Sequence, residues 1–335
     1  MSKDTSHHSK KLFSWSNIIF FALCCIVFYF VIHNLAELKT VKSLFKQIDG
    51  WWITVAVVAQ ITTYISTATL YYFLMNKFKD RTSITLFDLF KMSIVIVFIN
   101  QIVSAGGLSG NGFLFSELNK REVSAKKAFF TIVMECICLY VALGLLLISL
   151  PLIYISIYKT LPHLFWIVIL FGFVLYGGLA TFMTVLSNKK TLTYIIKQLS
   201  RIKFLRHHLN GIAFSPEGTF SEFGTKGPWG IFLKYKAQSL VVIMGQLVAL
   251  LHGLHVHIAY IVVVLGLLLT FVVTALPISP GGLIIYEGAM TFFFSSMGMP
   301  VSTALIVTLI FRVLSFWAPI FLGLLLYKNV QTDKG

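Results

Sequence analysis

Three ionisable residues stand inside otherwise apolar stretches of this sequence: Glu135, Glu287 and Arg312. A charge in hydrocarbon is costly, so such residues face a partner, a polar cavity or a ligand. Arg312 lies about ten residues into its apolar block, near the depth at which a spanning helix crosses the bilayer midplane. Its planar guanidinium can hold a phosphate through two parallel hydrogen bonds in a dry site. The same group can form an ion pair with Glu287 or Glu135, and such a pair can open to admit a lipid phosphate.

Tyr286 and Glu287 follow the run Pro277-Ile278-Ser279-Pro280-Gly281-Gly282. Two prolines and two glycines remove donors and loosen the backbone there, so no continuous helix passes through. Freed backbone groups at membrane depth are tolerated only inside protein or beside a polar cavity. A half-helix starting near Leu283 would aim its free amides and its dipole at the turn, where both favour an anion. Gly281 and Gly282 would let a headgroup approach that backbone closely. Gly110, Asn111 and Gly112 offer the same in a second glycine-rich break, Ser104–Gly112. The alternative for all these glycines is tight helix crossing.

Other chemistry finds little support. His252, His255 and His257 are close in sequence, but their spacing does not bring all three to one helical face. They read as interfacial polar residues rather than a zinc site. Cys24, Cys25, Cys136 and Cys138 all fall in apolar segments, so neither a disulfide framework nor a metal site is expected. A nucleophile with a base beside it, and a phosphate-binding loop for ATP, are both missing. The expectation is a protein that is not an enzyme and needs no cofactor.

The elements that must position these residues are membrane helices. Of 335 residues, 57% are hydrophobic and 12% charged, against roughly 25% charged in soluble domains. The net charge of +15 sits in short loops beside hydrophobic spans, a pattern of membrane orientation rather than of nucleic-acid binding. Apolar blocks fall near 17–33, 51–74, 92–118, 127–150, 163–186, 236–252, 258–297 and 302–326. Trp51, Trp52, Trp166 and Trp229 lie at block ends, as interfacial anchors do. The blocks 92–118 and 258–297 are broken near their middles, and each reads as a helical hairpin that leaves on the side it entered. For the second, a full crossing by 258–276 is the competing reading, since 19 residues can span.

Lys77, Lys79, Arg81, Lys91, Lys120, Arg121, Lys126 and Lys127 flank the first break, and basic residues from Lys189 to Lys236 mark 187–235 as a cytoplasmic loop. The expected fold is an all-α polytopic membrane protein of about six spanning helices plus two opposed re-entrant hairpins, with both termini cytoplasmic. It forms a single integral membrane domain over 1–335, with repeat-like halves at about 51–150 and 236–326. Gly106-Gly107-Leu108, Val123-Ser124, Ala128 and Cys136 align with Gly281-Gly282-Leu283, Val301-Ser302, Ala304 and Arg312. Two such units of opposite orientation make an inverted repeat, a common plan of secondary transporters.

Pro280-Gly281-Gly282, Tyr286-Glu287, Met299-Pro300, Ala304, Arg312, Pro319 and Gly323 resemble one family. It is the flippase-like membrane domain of lysylphosphatidylglycerol synthases (multiple peptide resistance factors) and their stand-alone relatives. The likeness covers about 15–328 and is most specific over 277–323. It implies translocation of phospholipid, or another lipid-linked anion, across a prokaryotic plasma membrane. With the sequence ending at Gly335, the soluble aminoacyl-transfer domain of the bifunctional members is expected to be missing. The first half departs from the family pattern: Ser104-Ala105 and Glu135-Cys136 stand where relatives often carry proline and Glu-Arg.

The expected lipid and anion site comprises Arg312, Glu287, Tyr286, Gly281, Gly282, Glu135, Gly110 and Asn111, with no catalytic or metal-binding residue. Its partner is a membrane phospholipid or lipid-linked substrate, not nucleic acid, and a homo-oligomer is compatible with it. The alternatives are a membrane enzyme or accessory acting on a lipid-linked sugar, and a small-solute exporter.

Overall fold

A computed structural model of the chain describes residues 49–77, 84–103, 108–186, 229–276 and 280–332, and every regular element among them is helical. The expected first helix at 17–33 and most of the basic loop 187–235 lie outside the described residues. Along the chain run α1 (Gly50–Lys77), α2 (Leu86–Ile102), α3 (Leu108–Lys120), α4 (Ala125–Tyr158) and α5 (His163–Leu186). There follow α6 (Trp229–Gly253), α7 (Tyr260–Thr274), a 3-10 turn at Pro280–Gly282 and α8 (Ile285–Ser296). The last stretch is α9 (Val301–Arg312), a π-helical segment (Val313–Trp317) and α10 (Ala318–Thr332).

Among the described residues, five helical stretches are long and apolar enough to cross a membrane: α1, α4, α5, α6, and α9 with α10 taken together. The chain is a polytopic membrane protein. Polar residues in these helices satisfy themselves locally, as they must where water is scarce. In α1, the hydroxyls of Thr62, Thr63, Ser66, Thr67 and Thr69 each donate to the carbonyl four residues earlier. The outward faces are apolar and exposed, as at Ile61, Leu145, Leu170, Val174, Val241 and Leu325.

The two broken blocks are hairpins. Their arms have 17 and 13 residues in α2 and α3, and 15 and 12 in α7 and α8. A crossing takes roughly 17–25 residues, and three of these four arms are shorter than that. In the stretch 258–276, α7 stops at Thr274 after 15 residues and α8 packs alongside it, which fits a hairpin arm better than a full span. Two bonds tie the helix ends by side. Asp49 N–H donates to the Gly253 carbonyl (3.0 Å), and Arg121 Nη2 donates to the Val330 carbonyl (3.5 Å). The start of α1 therefore lies beside the end of α6, and the end of α3 beside the end of α10.

Packing is reciprocal between two units, α1–α4 and α6–α10. The equivalent helices α1 and α6 pack against each other. The first arm of each hairpin packs on the long final helix of the other unit, α2 on α10 and α7 on α4. At the α2/α10 contact Gly323 is required, because a Cβ there would lie 2.2 Å from that of Phe98. The chain-terminal helices of the units also start alike. Ser124 and Pro300 are the N-caps, and their carbonyls accept from Ala128 (3.0 Å) and Ala304 (2.9 Å). Counted from these caps, Cys136 and Arg312 occupy the same helical position, the register expected from the aligned alanines.

Candidate functional site

A cavity of about 410 Å³ opens between the two units, and α1, α2, α3, α4, α6, α7, α8 and α9 all contribute to its wall. This volume falls within the roughly 300–1,000 Å³ of small-molecule sites, room for a headgroup but not for two acyl chains. Arg312, Tyr286, Glu135 and Asn111 line it, so four of the eight residues expected from sequence meet in one place.

On one wall, the break before α8 builds a tight turn. Gly281 and Gly282 both adopt positive φ, +56° and +70°. A Cβ at Gly281 would lie 2.1 Å from the Phe316 ring, so that position admits only glycine. Ile284, at φ +72°, takes the same left-handed half of backbone space, which is strained for a β-branched residue. The half-helix starts at Ile285, two residues later than expected, and Gly281 presents its carbonyl rather than its amide. Arg312 Nη2 donates to that carbonyl at 2.9 Å, while its Nε donates to Glu287 Oε1 at 2.6 Å. The guanidinium lies 4.6 Å from the Tyr286 ring centre and 4.1 Å from that of Phe316, and Arg312 is buried. Aromatic faces favour a cation and shield its hydrogen bonds from solvent. Glu287 and Gly281 thus form the surroundings of Arg312, behind the cavity wall, and Gly282 faces Thr274 instead.

The π-helical segment directly after Arg312 makes this possible. A wider turn leaves carbonyls without their usual partners, and such segments recur at functional sites. Here the Ser315 carbonyl accepts from Gln101 Nε2 at 2.8 Å, which ties the end of α2 to the last helix. Phe316 is turned beneath both Gly281 and the guanidinium.

On the opposite wall, Glu135 does not reach Arg312. Its Oε1 accepts from Lys236 Nζ at 2.8 Å, and its Oε2 accepts from the Tyr71 hydroxyl. Asn111 Nδ2 donates to Cys136 Sγ at 3.6 Å. The amide of Gly110, expected to be open to an anion, is taken by Asn100: Oδ1 accepts it at 2.7 Å and accepts Ser109 Oγ at 3.1 Å. The first hairpin is therefore closed by neutral side chains. His252, away from the cavity, stacks on Trp52 (4.7 Å between centres) and bonds the Tyr260 hydroxyl at 2.7 Å.

Sequence reasoning missed Lys236, Tyr71 and Gln246. Lys236 reads as one more loop lysine, yet it is buried in α6. The signal was present as helical spacing: Lys236, Ser239 and Gln246 lie on one stripe of α6, and Gln60, Thr63, Tyr64, Thr67 and Tyr71 on one stripe of α1.

The model of one protein family, described as the lysylphosphatidylglycerol synthase TM region, matches residues 17–323. A comparison with curated proteins finds no match. Spanning both hairpins, the cavity wall and Arg312, the family match shows that this chain belongs to the lysylphosphatidylglycerol synthase transmembrane-region family.

Proposed function

We propose that this membrane protein translocates a phospholipid or a lipid-linked anion between the leaflets of a prokaryotic plasma membrane, acting as a transporter rather than an enzyme. The observation that carries this reading is the placement of Arg312. A buried arginine faces a headgroup-sized cavity and is held by a single carboxylate and one backbone carbonyl. A lipid phosphate can accept two guanidinium N–H groups at once, where Glu287 accepts one through Oε1, and so competes with it for the guanidinium. Exchange of one anionic partner for another keeps the Arg312 charge compensated, while the displaced Glu287 carboxylate takes up a proton or the cationic part of a headgroup. The acyl tails stay in the bilayer, which the small cavity volume requires. The basic loop and both termini face the cytoplasm in this reading.

The test is the Arg312→Gln variant in reconstituted vesicles containing tail-labelled phospholipid, with leaflet exchange followed by quenching of the label. Exchange should fall to the rate of protein-free vesicles. Unchanged exchange by a folded variant overturns the assignment.

A further inference from the structure

Glu287 is held on one side only. Its Oε1 accepts from Arg312 Nε at 2.6 Å, whereas its Oε2 is buried with no hydrogen-bond partner among the described residues. The Tyr286 hydroxyl, one residue earlier on α8, is buried and without a partner there as well. A buried carboxylate oxygen left unsatisfied is costly, and one that carries a proton becomes a donor instead. Glu135 across the cavity is the contrast, since Lys236 and Tyr71 take up both of its oxygens.

Few other ionisable groups bear on Glu287. Of the helices packed on α8, α9 contributes Arg312, and α7 carries only Tyr260, at its far end and bonded to His252. α5 meets α8 through Phe165 and Phe293; it carries His163 and Tyr176, the latter stacked on Tyr140 of α4. The turn Pro280–Gly282 and the segment Val313–Trp317 carry none. The charge on Glu287 therefore answers to Arg312.

When a lipid phosphate takes over the guanidinium, Glu287 is left as a buried carboxylate without its cation. A headgroup in the cavity meets Arg312 and Tyr286, with Glu287 behind them, so whatever reaches the carboxylate must be small. A proton is small enough, and buried acids escape the cost of an unpaired charge by taking one up. The charges then balance. The empty site holds a guanidinium and a carboxylate. The loaded site holds a guanidinium, a phosphodiester anion and a neutral carboxyl group. Both sum to zero.

We infer that Glu287 is a proton carrier: one proton from the aqueous phase binds with each phosphodiester anion and leaves with it. Translocation is then electroneutral symport of lipid and proton, driven by a pH difference across the membrane and indifferent to voltage. This deepens the translocation reading and rests on it for the competition at Arg312.

The experiment uses the full chain and phosphatidylglycerol, with two readouts. In weakly buffered detergent solution, binding should take up about one proton per lipid, so affinity should rise as pH falls. In vesicles, tail-labelled lipid should gather in the leaflet on the alkaline side, about tenfold per unit of pH difference beyond protein-free vesicles. A potassium diffusion potential at equal pH should leave its distribution unchanged. Glu287→Gln keeps an acceptor for Arg312 but cannot take up the proton. It should bind lipid without proton uptake, and its label, at whatever rate it crosses, should ignore the pH difference. In the wild type, binding without proton uptake, or exchange that ignores the pH difference, overturns the inference and leaves translocation standing. Proton uptake that persists in Glu287→Gln overturns it too, since another group then carries the proton. Uptake lost in Glu287→Gln, with no wild-type exchange beyond protein-free vesicles, upholds the proton linkage at Glu287 and overturns translocation.

Discussion

The two hairpins meet the same backbone problem with different chemistry. In the first, a neutral side chain closes the break: Asn100 accepts from Gly110 N–H and from Ser109. In the second, a charge does so, with Arg312 donating to the Gly281 carbonyl and to Glu287. At the position equivalent to Arg312, the first unit has Cys136, bonded to Asn111, and its cation comes from Lys236 on a different helix. A neutral clasp has little to offer an anion, whereas an arginine shared between a carbonyl and a carboxylate can change partners. In the proposed translocation, the first unit would hold the frame and the second the exchangeable charge.

The largest test of this asymmetry is Arg312→Gln. It leaves the Glu287 carboxylate buried without its cation and should cost about 3–5 kcal/mol of stability along with transport. Replacing the pair together, as Arg312→Met with Glu287→Leu, should recover most of the melting temperature and none of the leaflet exchange. Recovery of exchange in the double variant would mean that the pair is only structural.

Next in size is Gly281→Ala, which forces a Cβ into the Phe316 ring at a left-handed position. Overpacking and backbone strain together should cost about 2–4 kcal/mol. Gly282→Ala meets nothing closer than 3.6 Å and should cost only about 1 kcal/mol. Equal losses in the two alanine variants, read by thermal melting in detergent, would place the constraint in the turn alone rather than in its contact with the last helix.

Lys236→Met comes third. Glu135 keeps its bond from Tyr71, so a loss of about 2–3 kcal/mol is expected, less than for Arg312→Gln. Adding Cys136→Arg in that background returns a cation from the position equivalent to Arg312, and stability should rise again. Failure of that rescue would break the equivalence drawn from the N-caps. The smallest effect is at Ile284, where glycine should relieve the left-handed strain and stabilise by about 1 kcal/mol. An unchanged or lower melting temperature would show that the exposed isoleucine contributes more than its backbone costs.

What could be read from sequence follows the same division. The hairpins were legible because glycine and proline are rare interruptions in apolar blocks, and arms too short to cross follow from where the breaks fall. Arg312 stood out because nothing near it in sequence is charged except Glu287. Lys236 did not, because it continues a run of loop lysines and only the start of α6 separates it from them. Gln246 and Tyr71 are uncharged, and their significance lies in burial and orientation, which periodicity suggests but does not fix. The start of α8 was placed two residues early because Ile284 adopts a conformation unusual for its side chain, and composition carries no trace of that.

A π-helical turn is in effect one residue inserted into a regular helix. Removing a residue between Val313 and Trp317 would let the helix run straight on and rotate everything after it by about 100°. Phe316 would swing from beneath Gly281, and Gly323 would no longer meet Phe98. The last helix therefore carries two faces out of phase along one rod, the earlier one turned to the cavity and the later one to the opposite hairpin. A single-residue change in length, with no change in composition, is enough to disconnect the arginine from the frame that aims it.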